Sequence, residues 1–143
     1  MLPRAPARKL AILACMDARL DPRSVLGLAD GDAHVIRNAG GVVTDDAIRS
    51  LAISQRLLGT DEIVIMHHTD CGMLDVDGSE FRRDIAAETG FEPPWDVGAF
   101  DDLETNVRAS IDRIRTSPFI PRRERVRGVI YDVATRRIHE VAH

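Results

Sequence analysis

Short apolar runs that alternate with helical segments are the feature that most restricts the fold of this chain. Unbroken apolar runs of this length are typical of strands that are buried on both faces of a parallel sheet. Two such runs lie at residues 10–16 and 62–66, and further strands are predicted at 34–37 and 126–133. Because the segments between the strands carry helical spacing, the pattern predicts an α/β fold with helices on both faces of a mainly parallel sheet.

Capping residues mark where the helices begin and end. Thr44, followed by two aspartates, is a strong helix start, and Gly59 suits a helix end. Helices are predicted at residues 22–29, 44–58, 78–89 and 101–115. A turn at 134–136 would lead into an antiparallel edge strand at 137–141. The expected architecture is a single α/β domain, residues 1–143, in which helices flank four mainly parallel strands and one antiparallel edge strand.

Charge and hydropathy exclude two classes of partner. The net charge is −4 over 143 residues and the arginines are interleaved with acids, so no basic surface for nucleic acid is expected. No apolar stretch is long enough to span a bilayer, and the charged start is not followed by a secretory core. A cytoplasmic protein that acts on a small molecule is therefore expected. In a reducing compartment, cysteine thiolates are available to bind metal.

The two cysteines follow two different predicted strands, one of them together with a histidine. Cys15 lies at the end of the first apolar run, and His68-Thr69-Asp70-Cys71 follows the third strand. Because the carboxyl ends of parallel strands meet at one edge of a sheet, Cys15, His68 and Cys71 are expected to lie together. Two sulfurs and one nitrogen suit zinc, one ion per chain. The alternatives are a disulfide or two inert thiols, and His67 should point to the opposite face as a core or supporting residue.

Asp17 and Arg19 place a carboxylate and a guanidinium beside the predicted metal site. Asp17 could bind the metal as a fourth ligand, or it could turn away and accept a bidentate hydrogen bond from Arg19. A plain surface ion pair is the third interpretation. Gly40 and Gly41 follow the second strand and precede a helix start, where their backbone could approach a small substrate or anion, or simply form a tight turn.

In this order, and at predicted strand ends, these pieces resemble a β-class carbonic anhydrase. The matching pieces are Cys15-x-Asp17-x-Arg19, Arg37-Asn38-Ala39-Gly40-Gly41 and His68-x-x-Cys71-Gly72. The resemblance runs from about Lys9 to Val141. The short form of the third piece is similar to the compact branch of the family, which also contains enzymes that hydrolyse carbonyl sulfide.

The resemblance implies a role for each residue that matches a family motif. The zinc ligands it implies are Cys15, His68 and Cys71. Asp17 and Arg19 would form the catalytic pair, and Asp17 would bind zinc only in a closed, inactive form. The backbone amide of Gly72 would help to orient the substrate or bicarbonate. A homodimer or homotetramer is also implied, with the active-site cleft near the subunit interface.

The implied activity is the reversible hydration of carbon dioxide to bicarbonate by a zinc-bound hydroxide, with a rate that rises with pH. Hydrolysis of carbonyl sulfide or carbon disulfide at the same zinc is the nearest alternative; a zinc or redox sensor and a structural zinc domain are the others. Candidates for an apolar mouth that selects the substrate are Met16, Leu20, Val42, Val43 and Met73. The chain departs from the family at residues 1–8, which would form a flexible arm where relatives carry N-terminal helices, unless translation begins earlier.

Overall fold

One sheet of five strands, in the order β2-β1-β3-β4-β5, runs through the computed structural model, which describes all 143 residues. The strands are β1 (Leu10–Cys15), β2 (Ala33–Asn38), β3 (Glu62–His68), β4 (Val126–Tyr131) and β5 (Ile138–Val141). The first four strands pair in parallel, and β5 runs antiparallel to β4. This arrangement confirms the predicted α/β fold with one antiparallel edge strand.

Four helices flank the sheet: α1 (Pro22–Val25), α2 (Asp45–Leu58), α3 (Gly78–Thr89) and α4 (Leu103–Arg115). The three longer helices begin at a capping side chain, because an oxygen of Thr44, Asp77 or Asp102 accepts a hydrogen bond from the backbone N–H three residues later. Glycines in the left-handed conformation, Gly59 and Gly90, end α2 and α3. None of these helices combines the length and the apolar composition that crossing a bilayer requires.

Several boundaries differ from the predicted ones, among them the ends of α1, β3 and β4. The first helix ends at Val25, earlier than predicted, and Gly27 beyond it is left-handed, with φ 66°. β3 extends further than predicted, to His68, because its last two residues pair with β4. β4 ends at Tyr131, before the predicted end, since the Asp132 carboxylate accepts hydrogen bonds from two of the backbone N–H groups that follow and turns the chain toward β5.

Both faces of the sheet are buried. Every residue of β1 is buried, and so is every residue of β3 after Glu62. On one face, a cluster that includes Leu51 and Ile111 joins the sheet to α2 and α4. On the other face, a second cluster contains Cys15 and Cys71. Each large apolar side chain contributes about 1.5–3 kcal/mol to folding stability when it is fully buried. Burial along β1 and β3 therefore holds these two strands in place.

The carboxyl ends of β1, β2 and β3 meet at one edge of the sheet. Cys15 at the end of β1 pairs with Asn38 at the end of β2, and β3 ends beside them at His68. Gly41, with φ 63°, packs so closely on β1 that a Cβ atom there would lie 2.8 Å from the backbone nitrogen of Cys15. Only glycine fits this position. The edge therefore gathers the predicted metal-binding segments into one place.

The N-terminal segment that was predicted to be a flexible arm is tied to the fold at its end. The backbone N–H groups of Ala7 and Arg8 donate hydrogen bonds to the carbonyl oxygens of Gly31 and Asp32, just before β2. Pro6 is buried. The mobility of residues 1–8 and the domain limits stay predictions.

Candidate metal centre

Three buried side chains bring their donor atoms together at this edge of the sheet. The Sγ atoms of Cys15 and Cys71 are 4.0 Å apart, and both thiols are free, so they form no disulfide. With a ring nitrogen of His68, they make a group whose donor atoms all lie within 4.8 Å of one another. Tetrahedral zinc with Zn–S bonds of about 2.3 Å holds two sulfurs about 3.8 Å apart. The observed separation of the sulfurs fits zinc.

The orientation of His68 leaves one ring nitrogen free for a metal. Nδ1 lies 2.7 Å from the carbonyl oxygen of Thr69, to which it donates a hydrogen bond. This contact selects the neutral tautomer that carries its lone pair on Nε2. Nε2 is buried and has no hydrogen-bond partner. Since buried polar atoms are normally satisfied, a metal ion held with the two thiols accounts for this nitrogen.

The two thiols differ in acidity. Burial raises the pKa of the Cys15 thiol, but the adjacent His68 ring and the backbone N–H groups of Asp17 and Gly40 outweigh burial and lower that pKa to about 7. Burial, with no comparable set of donors, raises the pKa of Cys71 to about 11. Cys15 therefore ionises first, and a bound metal cation would displace the remaining proton from Cys71.

Asp17 faces both Arg19 and the three metal-binding side chains. One carboxylate oxygen accepts hydrogen bonds from the Arg19 backbone N–H at 2.7 Å and from Nε at 3.0 Å. The other accepts from Nη2 at 2.9 Å and lies 3.7 Å from Nε2 of His68. The hydrogen bonds from the Arg19 side chain and backbone hold the pKa of Asp17 well below its usual range. Asp17 is thus an ionised carboxylate, paired with Arg19 and adjacent to the metal position.

Arg37 fixes the segment that carries Asp17, a role that the sequence did not reveal. Its guanidinium donates hydrogen bonds to the carbonyl oxygens of Cys15 at 2.9 Å, Asp17 at 2.8 Å and Leu20 at 2.8 Å. Arg37 lies opposite Ala14 in the parallel register of β1 and β2, so its side chain starts beside this segment. Arg37 belongs to the motif Arg37-Asn38-Ala39-Gly40-Gly41, but its hydrogen bonds could not be predicted because they depend on β1 and β2 being neighbours in the sheet.

Asp70 is a second contact that the sequence did not reveal. Nη1 of Arg19 donates to the Asp70 carboxylate at 3.0 Å, and Nη2 of Arg19 donates to the Asp70 carbonyl oxygen at 2.9 Å. Asp70 lies between His68 and Cys71, in the left-handed conformation with φ 53°. Arg19 therefore links the segment after β1 to the segment after β3.

The three glycines that were predicted to contact substrate have different surroundings. The backbone N–H of Gly40 helps to lower the pKa of the Cys15 thiol, and a Cβ atom on Gly40 would lie 3.0 Å from Cγ of Met73. Gly41 has the packing role described for the sheet edge. Gly72 is exposed, with open space where a Cβ atom would be. Contact between these glycines and a substrate stays a prediction.

His67 lies apart from the metal-binding group, as strand alternation predicts. Its Nε2 atom is 2.7 Å from the side-chain oxygen of Asn106 on α4. Its ring stacks on Phe100, with centroids 5.3 Å apart. His67 is almost fully buried, and burial lowers its pKa. It is a core residue that packs the end of β3 against its surroundings.

Two residues predicted for an apolar mouth, Leu20 and Val43, are buried, and the part that any of these residues plays in substrate choice stays a prediction. Val43 belongs to the cluster that joins the sheet to α2 and α4, and Leu20 is buried in the opposite cluster. Met73 is only partly buried against the second cluster, and Met16 is exposed. The sequence could not separate these groups, because an apolar residue after a strand suits either the core or a pocket.

Comparisons with known sequences agree with this geometry. Residues 10–95 match the protein family described as carbonic anhydrase. The chain is 54% identical over 140 residues to Beta-carbonic anhydrase 1 of Mycobacterium tuberculosis, a match that covers 98% of this chain and 86% of that protein. It is also 34% identical over 159 residues to a carbon disulfide hydrolase of an Acidianus species, with 93% of this chain and 77% of that protein covered.

A solved structure shows the same fold. The carbonic anhydrase from Streptococcus mutans superposes with a TM-score of 0.92 at 47% sequence identity, and the match covers 99% of this chain and 86% of that one. The resemblance therefore extends over almost the whole chain, in sequence and in structure, and includes the strand ends that carry the metal-binding side chains. This chain belongs to the β-carbonic anhydrase family.

Proposed function

We propose that this protein catalyses the zinc-dependent, reversible hydration of carbon dioxide to bicarbonate. The observation that carries the proposal is the meeting of two free thiols, the unpartnered Nε2 of His68 and the Asp17–Arg19 pair at one sheet edge. Three protein ligands with a carboxylate beside them are typical of a catalytic zinc site, which keeps one position open. Membership of the β-carbonic anhydrase family supports the same activity.

Cys15, His68 and Cys71 would hold the zinc ion. Zinc lowers the pKa of a bound water and so supplies hydroxide at a pH at which free water is not ionised. Two thiolates donate more charge than imidazoles do, so the hydroxide should form at a more alkaline pH than the value of about 7 known for a site with three histidines. The ligand side chains are almost fully buried, which keeps bulk water away from the protein side of the site.

Asp17 would orient the reacting water, and Arg19 would orient Asp17. Because its pKa is held low by Arg19, Asp17 stays an anionic hydrogen-bond acceptor throughout the neutral and alkaline range. The bidentate contact with Arg19 fixes the direction of the carboxylate. On the opposite side, the backbone amide of Gly72 would donate a hydrogen bond to the substrate or bicarbonate, with Gly40 and Gly41 shaping the same small space.

A closed form follows from the position of Asp17. The carboxylate oxygen that accepts from Nη2 of Arg19 also lies 3.7 Å from Nε2 of His68. A rotation of the Asp17 side chain would therefore bring this oxygen to the metal as a fourth ligand. In that form no position would be open to water and the site would be inactive. A rise in pH would favour the open form, in which Asp17 stays paired with Arg19.

The proposed assembly is a homodimer or homotetramer. Helix α3 has no fully buried residue, and Phe81 on α3 is exposed, as are Phe91 and Trp95 in the segment that follows. Exposed large apolar side chains that form a contiguous patch are typical of protein interfaces. The proposed location is the cytoplasm, because zinc binding requires both thiols to stay reduced.

Hydrolysis of carbon disulfide or carbonyl sulfide is the second candidate activity, because one of the related proteins is a carbon disulfide hydrolase. Addition of water to the carbon and cleavage of one carbon–sulfur bond would release hydrogen sulfide, leaving carbonyl sulfide from carbon disulfide and carbon dioxide from carbonyl sulfide. Discrimination would rest on small differences in an apolar pocket, which are worth about 1–3 kcal/mol per methylene-sized change. A direct comparison of substrates is therefore required.

The test is stopped-flow hydration of carbon dioxide, expressed per mole of bound zinc, from neutral to alkaline pH. We expect turnover that climbs with pH, because the fraction of water present as hydroxide increases. His68→Ala should lose zinc and turnover together, since it removes the buried nitrogen donor. His139→Ala is the matched control: His139 is an exposed histidine on β5, so zinc content and turnover should not change.

Release of hydrogen sulfide from carbon disulfide and carbonyl sulfide is measured in parallel. If either sulfur compound is turned over much faster than carbon dioxide, the second candidate replaces the first. One zinc per chain without turnover of any of the three substrates contradicts both activities. Large reversible unfolding on zinc removal would then favour a sensor, and an unchanging fourth protein ligand would favour a structural zinc domain.

A further inference from the structure

We propose that Asp70 is a positioning residue that holds Arg19 in the orientation in which Arg19 binds Asp17. The proposal deepens the proposed function and rests on it, because Asp17 is the side chain that would orient the reacting water. Asp70 itself would touch neither the metal nor the substrate. Its effect would reach the reaction only through the guanidinium of Arg19.

The contacts of Arg19 show how the three residues depend on one another. The guanidinium binds Asp17 along one edge, through Nε and Nη2, at 3.0 Å and 2.9 Å. It binds Asp70 along another edge, through Nη1 to the carboxylate at 3.0 Å and through Nη2 to the carbonyl oxygen at 2.9 Å. Planar groups held on two edges have little freedom to rotate, so each contact restricts the other.

The backbone of Asp70 is arranged for this contact. Its φ of 53° lies in the left-handed region, which a non-glycine residue rarely adopts, although aspartate tolerates it better than most residues. His68 and Cys71, two of the three metal-binding residues, flank the turn that contains Asp70. The turn that presents the ligands therefore also presents the carboxylate that holds Arg19.

A contribution to folding stability does not explain the Asp70–Arg19 pair. The Asp70 side chain is 83% exposed and that of Arg19 is 47% exposed. Ion pairs at such exposed positions contribute little to stability, because water screens the charges and the side chains lose freedom. The pair is better explained by the orientation that it imposes on a neighbouring group.

Loss of the Asp70 carboxylate should decrease the fraction of molecules in which Asp17 is paired with Arg19 and increase the fraction in which Asp17 binds the metal. Asp17 lies 3.7 Å from Nε2 of His68 while it is paired with Arg19. A guanidinium held only by Asp17 would follow that side chain or swing into solvent. Asp17 would then turn toward the metal more often, and the open position would be available for a smaller fraction of the time.

The test uses Asp70→Gly, because glycine keeps the left-handed backbone and removes only the side chain. Two readouts are followed in zinc-loaded or cobalt-substituted protein at fixed pH: the kcat for hydration of carbon dioxide, and the Kd of azide measured from the visible spectrum of cobalt(II). If Asp17 fills the open position nine-tenths of the time, kcat falls about tenfold and the azide Kd rises by the same factor. Asp70→Asn should stay closer to the wild type, since its amide oxygen still accepts from Nη1.

Asp75→Gly is the matched control. Asp75 is another exposed aspartate with positive φ, 59°, in the same loop, and its side chain makes no ion pair or hydrogen bond within the chain. It should keep the wild-type kcat and azide Kd. Unchanged kcat and azide Kd in Asp70→Gly would overturn the proposal, and so would loss of bound metal in Asp70→Asn, which would indicate a role in forming the ligand turn.

The two proposals fail in different ways. A wild-type protein without turnover contradicts the proposed function, yet the azide titration of the cobalt protein still measures how often the open position is free. A rise of the azide Kd in Asp70→Gly would support the positioning role even then. Normal turnover in the wild type together with equal azide affinity in both proteins would contradict the role of Asp70 alone.

Discussion

Asp17 is paired with Arg19, and under the proposed function a metal ion held by Cys15, His68 and Cys71 would be its second possible partner. The Arg19 guanidinium offers two hydrogen bonds in a planar fork, and the Arg19 backbone N–H offers a third. Metal binding offers one strong bond to a single oxygen instead. Since the carboxylate is ionised in both arrangements, protonation of Asp17 itself does not decide between them in the neutral range.

Arg19→Ala should therefore favour the closed form. The variant keeps the backbone N–H contact and loses the fork, so kcat/KM for carbon dioxide should fall about 10- to 100-fold at neutral pH, the range seen when a partner of a metal site is removed. The loss should shrink as pH rises, because hydroxide then displaces the carboxylate. X-ray absorption of the zinc protein should show an oxygen ligand in the variant that is insensitive to added azide.

Two further variants make this result interpretable. Arg19→Lys keeps the charge but cannot form the planar fork, so it should recover only part of the activity. Arg23→Ala removes an exposed arginine whose ion pair with Asp30 lies outside the site, and it should behave as the wild type. Full activity in Arg19→Ala, with an open position on zinc, would falsify the switch between the two forms.

The meeting of the three candidate metal ligands could be predicted from the sequence, whereas the contacts of Arg37 and Asp70 beside them could not. Cys15, His68 and Cys71 follow apolar strands that are recognisable by composition, and short spacing joins two of them. Arg37 and Asp70 act through contacts between segments that are distant in the chain, and these depend on strand order and on a left-handed turn. Neither property is written in local composition or spacing.

Gly128 in β4 shows how closely an element can depend on one small residue. Helix α4 packs on β4 at this position, and a Cβ atom on Gly128 would lie 2.1 Å from Cγ1 of Val107 and 3.2 Å from Cδ1 of Ile111. Both of these side chains are fully buried in the main core cluster and have no free space to move into. The absence of a side chain therefore sets the distance between helix and strand.

Gly128→Ala should lower the free energy of unfolding by about 1–3 kcal/mol, the usual effect of forcing an extra carbon into a packed core. Urea unfolding followed by circular dichroism gives this value. Gly78→Ala is the control, because a Cβ atom there would make an ordinary contact at 3.5 Å in the first turn of α3. Equal stability of the two variants would show that α4 moves away from the sheet without loss.

The ends of the capped helices α2 and α3 were easier to predict than the ends of the strands. Caps such as Thr44 and Gly59 act within one turn of the chain, so α2 and α3 were predicted nearly to the residue. The end of β3 depends on its pairing with β4, far along the chain, and was underestimated. Helix caps could therefore be predicted from neighbouring residues, whereas the pairing of strands that are far apart in the chain could not.

One helix of the molecule has no fully buried residue. Helix α3 has no buried residue, although its twelve residues are too few for a stable isolated helix in water. A second copy that covers Phe81 would supply the missing packing. Light scattering coupled to size-exclusion chromatography should show a dimer or tetramer, and Phe81→Glu should shift it toward the monomer by placing a charge in the interface.

Phe119→Glu is the matched control for this prediction. Phe119 is also an exposed phenylalanine, but it lies in the connector between α4 and β4. The same charge at this position should leave the assembly unchanged. A wild-type protein that stays monomeric at high concentration would contradict the proposed assembly, as would dissociation caused equally by both variants.

The order of strands in the sheet also affects when the site can form during synthesis. All three metal-binding side chains are translated by residue 71, on β1 and on the segment at the end of β3. In the finished sheet, however, β3 lies between β1 and β4, and β4 begins only at Val126. A nascent chain halfway through translation thus holds all three proposed ligands but lacks β4, the strand that pairs with the end of β3 at His68. Zinc is therefore expected to load after the ribosome has released most of the C-terminal half, not while the motif emerges.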